Sequence, residues 1–365
     1  MGRVPVREDL AAVEPYGAPQ LDVAVRLNTN ETPWPPPAVF SERLAQRVAA
    51  LDLHRYPDRR LWALRERLAD RFGLPPERAW AANGSNEVLV QLLQAYGGTG
   101  RRLLAFRPSY SMYPELARTT ATGLVAADLD DRFRLTAQIA VEAVTRHDPD
   151  VVALASPNNP TGLGVEPSVL RALHDAGRAL VVVDEAYMEF SPEVRERSAL
   201  TLLDTLDRLV VVRTFSKAWR LAGLRLGYLL GPAWVVDDLR KVRLPYHLDA
   251  VKQEAGLVAL ALADEVTAHI GAIVAERDRV AEAAGALGVE VFDSEANFLL
   301  LRSAADDLFG RLLERGVLVR DFSRAPRLEG CVRVTIGTAE ENDAFLTALR
   351  DCLADLPAGA GGGGR

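Results

Sequence analysis

Cysteine and lysine are both scarce in this 365-residue chain. The two cysteines, Cys331 and Cys352, are too few and too dispersed for a disulfide framework or a metal cluster, so we expect a reducing compartment and no metal site. The 43 basic residues include only three lysines, Lys217, Lys241 and Lys252. Arginine serves solubility and salt bridges but cannot form an imine. A lysine kept among so many arginines indicates that its amine is used; a solvated surface lysine is the alternative.

The chain also lacks an excess of positive charge and long hydrophobic runs. Its formal net charge of −7 argues against a nucleic-acid binder, which would usually present a basic face. No apolar run approaches the length that spans a bilayer, and the charged N-terminus does not resemble a signal peptide. The length and the hydrophobic content of 48% allow a large core and two domains. We therefore expect a cytoplasmic protein that binds neither nucleic acid nor membranes.

Residues 209–231 contain the main candidate for chemistry. They begin with an apolar, β-branched run that is short enough to be one buried parallel strand. Ser216 and Lys217 follow this run, and Arg225 comes eight positions after Lys217. A lysine amine can form a Schiff base, and serine and arginine can hold a phosphate. This combination is typical of a site for a phosphorylated aldehyde cofactor.

Other polar residues follow short apolar runs earlier in the chain. Ser85 and Asn86 come after Gly84 at the start of a predicted helix, where free N–H groups attract phosphate; a simple helix cap is the alternative. Tyr110 follows another predicted strand and could stack on a flat ring or only pack. Asp184 directly follows a fully apolar strand, so we expect it at the carboxyl edge of the sheet, where ligands of open α/β sheets bind.

The recurrence of strands between helices predicts an α/β fold with a large, mostly parallel sheet, helices on both of its faces and a smaller α+β unit. In the small unit, Arg320 and Arg333 could clamp anions, although structural salt bridges are the usual fate of such arginines. The expected units are an N-terminal arm over 1–40, a large domain over 41–240 whose first helix could pack with the small domain, a small domain over 241–355, and a disordered glycine-rich tail over 356–365.

The motifs together resemble a known family. The segments NGSN, RPSY, SPNNPTG, DEAY, SKAWRLAGLR and RVTIGT occur in the order found in fold-type-I aminotransferases that depend on pyridoxal 5′-phosphate. The segments LNTNE, RYPD, VVVDEAYMEF, RTFSKAWRLAGLRLGY, DSEANF, LVRD and CVRVTIGT resemble more closely the histidinol-phosphate aminotransferases. The similarity extends from about residue 16 to residue 353. Trp219-Arg220 is bulkier than the small or apolar residues expected there, so the resemblance does not define the shape of this edge of the pocket.

The resemblance implies an activity and several residue roles. The activity is transamination between L-histidinol phosphate and 2-oxoglutarate in histidine biosynthesis, giving imidazole-acetol phosphate and L-glutamate. Lys217 resembles the Schiff-base lysine, and Asp184 the residue that keeps the pyridinium nitrogen protonated. Asn159 and Tyr187 would bond the ring hydroxyl, with Asn159 also bordering the substrate, and Tyr110 would stack on the ring.

Further roles implied by the resemblance concern anionic groups. Ser85, Asn86, Ser216 and Arg225 would hold the cofactor phosphate, and Tyr56 would reach it from the other subunit of a homodimer. Two arginines and a tyrosine would bind the substrates: Arg333 the carboxylate of glutamate or 2-oxoglutarate, and Arg320 with Tyr16 the phosphate of histidinol phosphate.

Other functions remain open from the sequence alone. An aromatic amino-acid aminotransferase is the first alternative, and an activity like that of threonine-phosphate decarboxylase is a more distant one, because related folds change substrate with few substitutions. A non-catalytic sensor domain that binds the cofactor belongs to a different class; such domains carry a fused basic DNA-binding module, and this chain shows none. A degenerate scaffold is opposed by the complete set of motifs.

Overall fold

The computed structural model describes residues 4–11, 13–15, 17 and 19–355. Tyr16 and the glycine-rich tail from residue 356 onward lie outside the described residues. The strands are β1 (Val25–Arg26), β2 (Ala79–Ala82), β3 (Arg102–Arg107), β4 (Gly123–Asp128), β5 (Val151–Ala155), β6 (Leu180–Asp184), β7 (Leu209–Thr214), β8 (Gly227–Leu230), β9 (Glu290–Val291), β10 (Phe298–Arg302), β11 (Val317–Leu318), β12 (Arg320–Asp321) and β13 (Cys331–Thr335).

Thirteen α-helices connect and cover these strands in the part of the chain that the structure describes. They are α1 (Ala38–Ala49), α2 (Trp62–Asp70), α3 (Ser85–Tyr96), α4 (Met112–Thr119), α5 (Ala137–His147), α6 (Pro167–Asp175), α7 (Val194–Arg197), α8 (Ala233–Val242), α9 (Ala250–Ala261), α10 (Ala263–Thr267), α11 (Ile270–Ala286), α12 (Leu308–Glu314) and α13 (Ala339–Ala354). No single described helix is long and apolar enough to cross a bilayer; one helix pair, bent by 85°, meets the length and composition test.

The large sheet has seven strands in the order β2-β8-β7-β6-β5-β3-β4. Strands β3 to β7 pair in parallel, whereas β8 runs antiparallel to both of its neighbours and pairs Gly227 with Thr214. The predicted mostly parallel sheet is therefore confirmed. Because the carboxyl ends of β5, β6 and β7 lie at one edge, the residues that follow these strands meet there.

Helices cover both faces of this sheet, as predicted. In β6, Val181 and Val183 belong to one hydrophobic cluster, and Leu180 and Val182 belong to another. Side chains that alternate along a strand point to opposite faces, so the two clusters are the two cores of a doubly covered sheet. The first cluster contains the buried apolar residues of α2, α5 and α6; the second contains those of α3, α4 and α8.

The second sheet is antiparallel, in the order β12-β13-β10-β9; α11 packs against β9 and β10, whereas α12 and α13 contact β11. Strand β11 is not part of this sheet; it pairs in parallel with β1, which lies in the segment expected to be an arm. Helices α10 and α11 are separate, with Ala268 and His269 between them. Helix α9, although it follows residue 241, packs against α1 and α2.

Candidate active site

A cavity of about 410 Å³ opens at the carboxyl edge of the large sheet. Ala155, Asp184 and Thr214, the last residues of β5, β6 and β7, contribute to its wall. The opposite wall comes from the second sheet and from residues 28–31 of the N-terminal segment. The predicted site residues that line the cavity are Ser85, Asn86, Tyr110, Asn159, Asp184, Tyr187, Ser216, Lys217, Arg225, Arg320 and Arg333.

Lys217 lies shortly after the end of β7 with its amine inside this cavity. Nζ donates a hydrogen bond to the carbonyl oxygen of Thr29 at 2.8 Å and lies 5.8 Å from the ring centre of Tyr187. Burial lowers the pKa of the amine to about 7, and the charge of Arg333 acts in the same direction. Near neutral pH a substantial fraction of this amine is therefore unprotonated and able to act as a nucleophile or a base.

Asp184 ends β6 and is only 4% exposed. Its Oδ1 accepts a hydrogen bond from the backbone N–H of Ala186 at 3.1 Å. Burial raises the pKa of the carboxyl group to about 7, and the nearby charge of Lys217 partly opposes this rise. A buried carboxylate of this kind is stabilised when a positively charged group occupies the space beside it.

Another part of the cavity suits a phosphate. Ser85 is the first residue of α3, where backbone N–H groups have no partner within the helix. It follows Gly84, whose φ of 86° favours glycine and where an added Cβ would lie 2.8 Å from a guanidinium nitrogen of Arg225. Arg225 also adopts a left-handed conformation, and its Nη1 donates to Ser216 Oγ at 3.2 Å. The resemblance assigned the phosphate to these residues, and the structure brings them together.

Tyr110, Asn159 and Tyr187 are held by polar contacts around the cavity. The Tyr110 hydroxyl donates to Asn86 Oδ1 at 3.1 Å. Asn159 Nδ2 donates weakly to the Tyr187 hydroxyl at 3.5 Å, and Asn159 Oδ1 accepts from Arg333 Nη1 at 2.5 Å. These contacts connect the large sheet to the second sheet, so Asn159 is a direct link between them.

Arg320 and Arg333 are directly opposite each other in the β12–β13 pair. Opposite residues of an antiparallel pair project from the same face, so two guanidinium groups share one wall of the cavity. Arg333 is buried, and its Nη2 donates to the carbonyl oxygen of Asn28 at 2.7 Å. Like charges placed in this way repel each other, and an anion between them removes the repulsion.

Tyr56 was predicted as a site residue, but within its own chain it does not line the cavity. Its side chain is 79% exposed and stacks on Tyr246 with the ring centres 4.3 Å apart. Within one chain it is a surface residue.

Two features of the site were not predicted from the sequence. Asn30 is buried, and its side chain accepts a hydrogen bond from Thr335 and donates one to Tyr187; the sequence pointed to this residue only as part of the segment LNTNE. Behind the site, Glu185 forms a buried ion pair with Arg213. The sequence signal for this pair was weak: a charged residue in the apolar β7 and an acidic residue immediately after Asp184.

The mixed sheet and its lysine-bearing cavity define a fold-type-I transferase. The chain belongs to the family Aminotransferase class I and II, which matches residues 23–349. Within this family it is similar to the histidinol-phosphate aminotransferase of Thermobifida fusca, with 48% identity over 352 residues and 95% of each sequence covered.

Solved structures show the same architecture. The histidinol-phosphate aminotransferase of Sinorhizobium meliloti, in complex with pyridoxal-5′-phosphate, superposes with a TM-score of 0.83, 27% identity and 92% of each chain covered. The L-threonine-O-3-phosphate decarboxylase of Porphyromonas gingivalis superposes with a TM-score of 0.78 and 26% identity, covering 91% of this chain and 100% of the other. Among relatives of this fold, therefore, both a transaminase and a decarboxylase occur.

Proposed function

We propose that the protein catalyses transamination between L-histidinol phosphate and 2-oxoglutarate, giving imidazole-acetol phosphate and L-glutamate, with pyridoxal 5′-phosphate as its cofactor. The observation that carries this proposal is the pair Arg320 and Arg333 on one face of the second sheet, at the wall of the cavity that contains Lys217. Two guanidinium groups suit substrates that bear phosphate and carboxylate groups. The similarity to named histidinol-phosphate aminotransferases supports the choice of substrate.

The residues present fit the cofactor. A protonated ring nitrogen beside Asp184 would stabilise a carboxylate that burial otherwise disfavours. The space over Gly84, which a Cβ would fill, borders Arg225 and the start of α3, where a phosphate would find several donors. We assign the phosphate to Ser85, Asn86, Ser216 and Arg225, the ring nitrogen to Asp184, the ring face to Tyr110 and the ring hydroxyl to Asn159 and Tyr187.

When bound, pyridoxal 5′-phosphate supplies an aldehyde that takes up amino groups and a protonated ring that withdraws electrons from the adjacent substrate carbon. Lys217 would move the proton: because the pKa of its amine is about 7, unprotonated Nζ can accept a proton from the substrate Cα and would donate it to the carbon that the cofactor's aldehyde contributes. Arg333 would hold the carboxylate of glutamate or 2-oxoglutarate. Arg320, together with Tyr16, would hold the phosphate of histidinol phosphate.

We further propose that the protein is a homodimer in which Tyr56 reaches the cofactor phosphate of the partner subunit. Leu53, Tyr56, Leu244 and Tyr246, here called the aromatic patch, are exposed apolar residues of two neighbouring loops. Large exposed apolar side chains that cluster in this way commonly mark an interface. A two-fold axis would make this contact reciprocal, with the aromatic patch of each copy beside the cavity of the other.

The cytoplasm remains our proposed location. Both cysteines of the chain are buried free thiols, which suits a reducing compartment.

Steady-state kinetics test the proposed substrate. We expect kcat/KM for histidinol phosphate to exceed that for phenylalanine or tyrosine by about 100-fold or more, because a site built around charged groups rejects an analogue that leaves them unpaired. Arg320→Ala should lower kcat/KM for histidinol phosphate, with a loss of transition-state stabilisation of about 2–4 kcal/mol. Phenylalanine turnover should change little. Arg324→Ala, which removes an exposed charge four positions away, is the matched control. A wild-type preference for phenylalanine would instead favour the aromatic aminotransferase.

A further inference from the structure

Glu31 is the carboxylate of the cavity for which the proposed chemistry has no role. Among the described residues that line the cavity, Glu31 and Asp184 are the acidic ones, and Asp184 is assigned to the cofactor ring. Glu31 also lines a second cavity, of about 600 Å³, formed by the N-terminal segment and the start of α13. Its side chain therefore lies where the two cavities approach each other.

The backbone holds Glu31 firmly at this place. Asn30, the preceding residue, has a left-handed φ of 55° and is 1% exposed. Its N–H donates to Thr335 Oγ1 at 2.9 Å, and its carbonyl oxygen accepts from Asn297 Nδ2 at 3.2 Å. On the other side, Thr32 Oγ1 donates to the carbonyl oxygen of Lys217 at 2.7 Å. The backbone on both sides of Glu31 is therefore anchored, and this limits where its exposed carboxylate can reach.

One oxygen of Glu31 is available to a ligand. Its Oε2 accepts a hydrogen bond from Thr29 Oγ1 at 3.0 Å, whereas Oε1 has no hydrogen-bond partner within the described part of the chain. The other charged groups of the cavity are the cations Lys217, Arg225, Arg320 and Arg333 and the carboxylate Asp184. Among the described lining residues, Glu31 is therefore the carboxylate that remains for a cationic or N–H-bearing part of the substrate.

Histidinol phosphate contains such a part. Its imidazole ring resembles that of histidine, whose pKa of about 6.5 leaves a fraction charged at neutral pH. The charged ring has two N–H donors and the neutral ring has one, so both forms can donate to a carboxylate. A benzene ring has no such donor. Three arginines in the same cavity would repel a charged imidazole unless a carboxylate compensates.

We infer that Glu31 accepts a hydrogen bond from the imidazole ring of the substrate and thereby sets the preference for an imidazole over a benzene ring. This inference rests on the proposed function, because it concerns the ring of that substrate. It assigns specificity to the N-terminal segment, whereas the phosphate and carboxylate are assigned to arginines of the second sheet.

The test compares two substrates that differ only in their ring. Histidinol phosphate and phenylalaninol phosphate share the amine and the phosphate, and the second is measured as a substrate or, without turnover, as a competitive inhibitor. In the holoenzyme, Glu31→Gln keeps the shape and removes the charge. We expect it to lower kcat/KM for histidinol phosphate about 10- to 100-fold, the range for a hydrogen bond to a charged group, and to leave the phenyl analogue unchanged. Asp22→Asn, which removes an exposed carboxylate that borders only the second cavity, should change neither.

The glutamate half-reaction separates this role from a purely electrostatic one. The charge of Glu31 raises the pKa of Lys217 against the lowering effect of burial, so Glu31 could act through that amine alone. An effect of that kind would change the rates with glutamate, histidinol phosphate and the phenyl analogue alike, and this result would overturn the inference. The inference would also be overturned if Glu31→Gln left kcat/KM for histidinol phosphate unchanged. Failure of the wild-type enzyme to use histidinol phosphate would instead refute the proposed function, and it would be seen before any variant is tested.

Discussion

At the scale of single residues, burial brings an acid and a base to similar pKa values. The pKa of Asp184 rises to about 7 and that of Lys217 falls to about 7, and removal of charge from water is the first cause of both shifts. In water the two values would differ by more than 6 units. The protein without cofactor therefore holds two groups whose charged forms are costly, and bound cofactor would relieve this cost at Asp184 by supplying a positive ring nitrogen.

Asp184→Asn should separate stability from activity. The pKa of Asp184 is higher in the folded protein, about 7, than the value of 3.8 for an exposed carboxyl group, so the folded state holds this proton more tightly. The wild-type apoprotein therefore loses stability from this group as the pH rises from about 4 to about 7. We expect the variant apoprotein to be more stable at pH 8 by about 1–4 kcal/mol, with a smaller gain at pH 5, and to lose most of its turnover.

Urea unfolding of both apoproteins at equal concentration and at the two pH values measures this difference. Asp22→Asn, an exposed exchange of the same kind, is the control. A variant that is less stable than the wild type at pH 8 would show that Asp184 contributes to folding by another route.

At the scale of elements, the ends of β6 and β7 are joined by a buried ion pair. Glu185 follows β6 and is fully buried; its Oε2 accepts hydrogen bonds from Arg213 of β7 at 2.7 and 3.0 Å. Its Oε1 accepts from the backbone N–H of Ala199 at 2.6 Å, and Ser198 donates to both oxygens. The pair therefore fixes the two strand ends that carry Asp184 and Lys217 toward the cavity.

Arg213→Met should destabilise the protein strongly. It leaves the Glu185 carboxylate buried without its cation, which typically costs about 3–5 kcal/mol. The double variant Arg213→Met, Glu185→Gln removes the charge as well and should recover part of the loss. Denaturant unfolding of both single variants and the double variant gives the coupling between the two residues. Additive losses would mean that the side chains act independently.

The elements of the large sheet follow from the sequence because their signals are local. The predicted large, mostly parallel sheet is confirmed, and the described residues expected to hold cofactor and substrate, apart from Tyr56, lie around one cavity. The pairing of β1 with β11 could not be predicted, since each strand has two residues and no periodicity. The bond from the Asn30 N–H to Thr335 joins residues 305 positions apart, and only the folded chain shows it. The division of the chain near residue 240 remains a proposal, and the packing of α9 against α1 and α2 bears on it.

At the scale of the whole molecule, the proposed homodimer predicts that two inactive or weakened variants restore activity when they are mixed. Lys217→Arg keeps the charge but cannot form an imine, so it should be inactive. Tyr56→Ala should weaken binding of the cofactor at the site that Tyr56 serves. If Tyr56 acts across the interface, a mixed dimer of the two variants contains one intact site. Equal mixing should then restore about a quarter of wild-type activity, because half of the dimers are mixed and each has one of two sites intact.

Subunit exchange is followed by the regain of activity at limiting cofactor. Each variant incubated alone is the control, and sedimentation reports the oligomeric state. If mixing restores no activity, or if a monomer is fully active, Tyr56 acts in the site of its own subunit or in no site.

The antiparallel course of β8 has a consequence for the order in which the site can form. Thr214 and Gly227 pair across the β7–β8 ladder, so Lys217 and Arg225 both lie on the one short loop that this pair closes. The entropy lost in closing a loop grows with its length. Arg333 reaches the same cavity only when distant segments of the chain meet, as its bond to the carbonyl oxygen of Asn28 shows. The part of the phosphate site that Ser216 and Arg225 would form can therefore assemble within a single local unit, while the half of the cavity that would select the substrate must wait until the two ends of the chain come together.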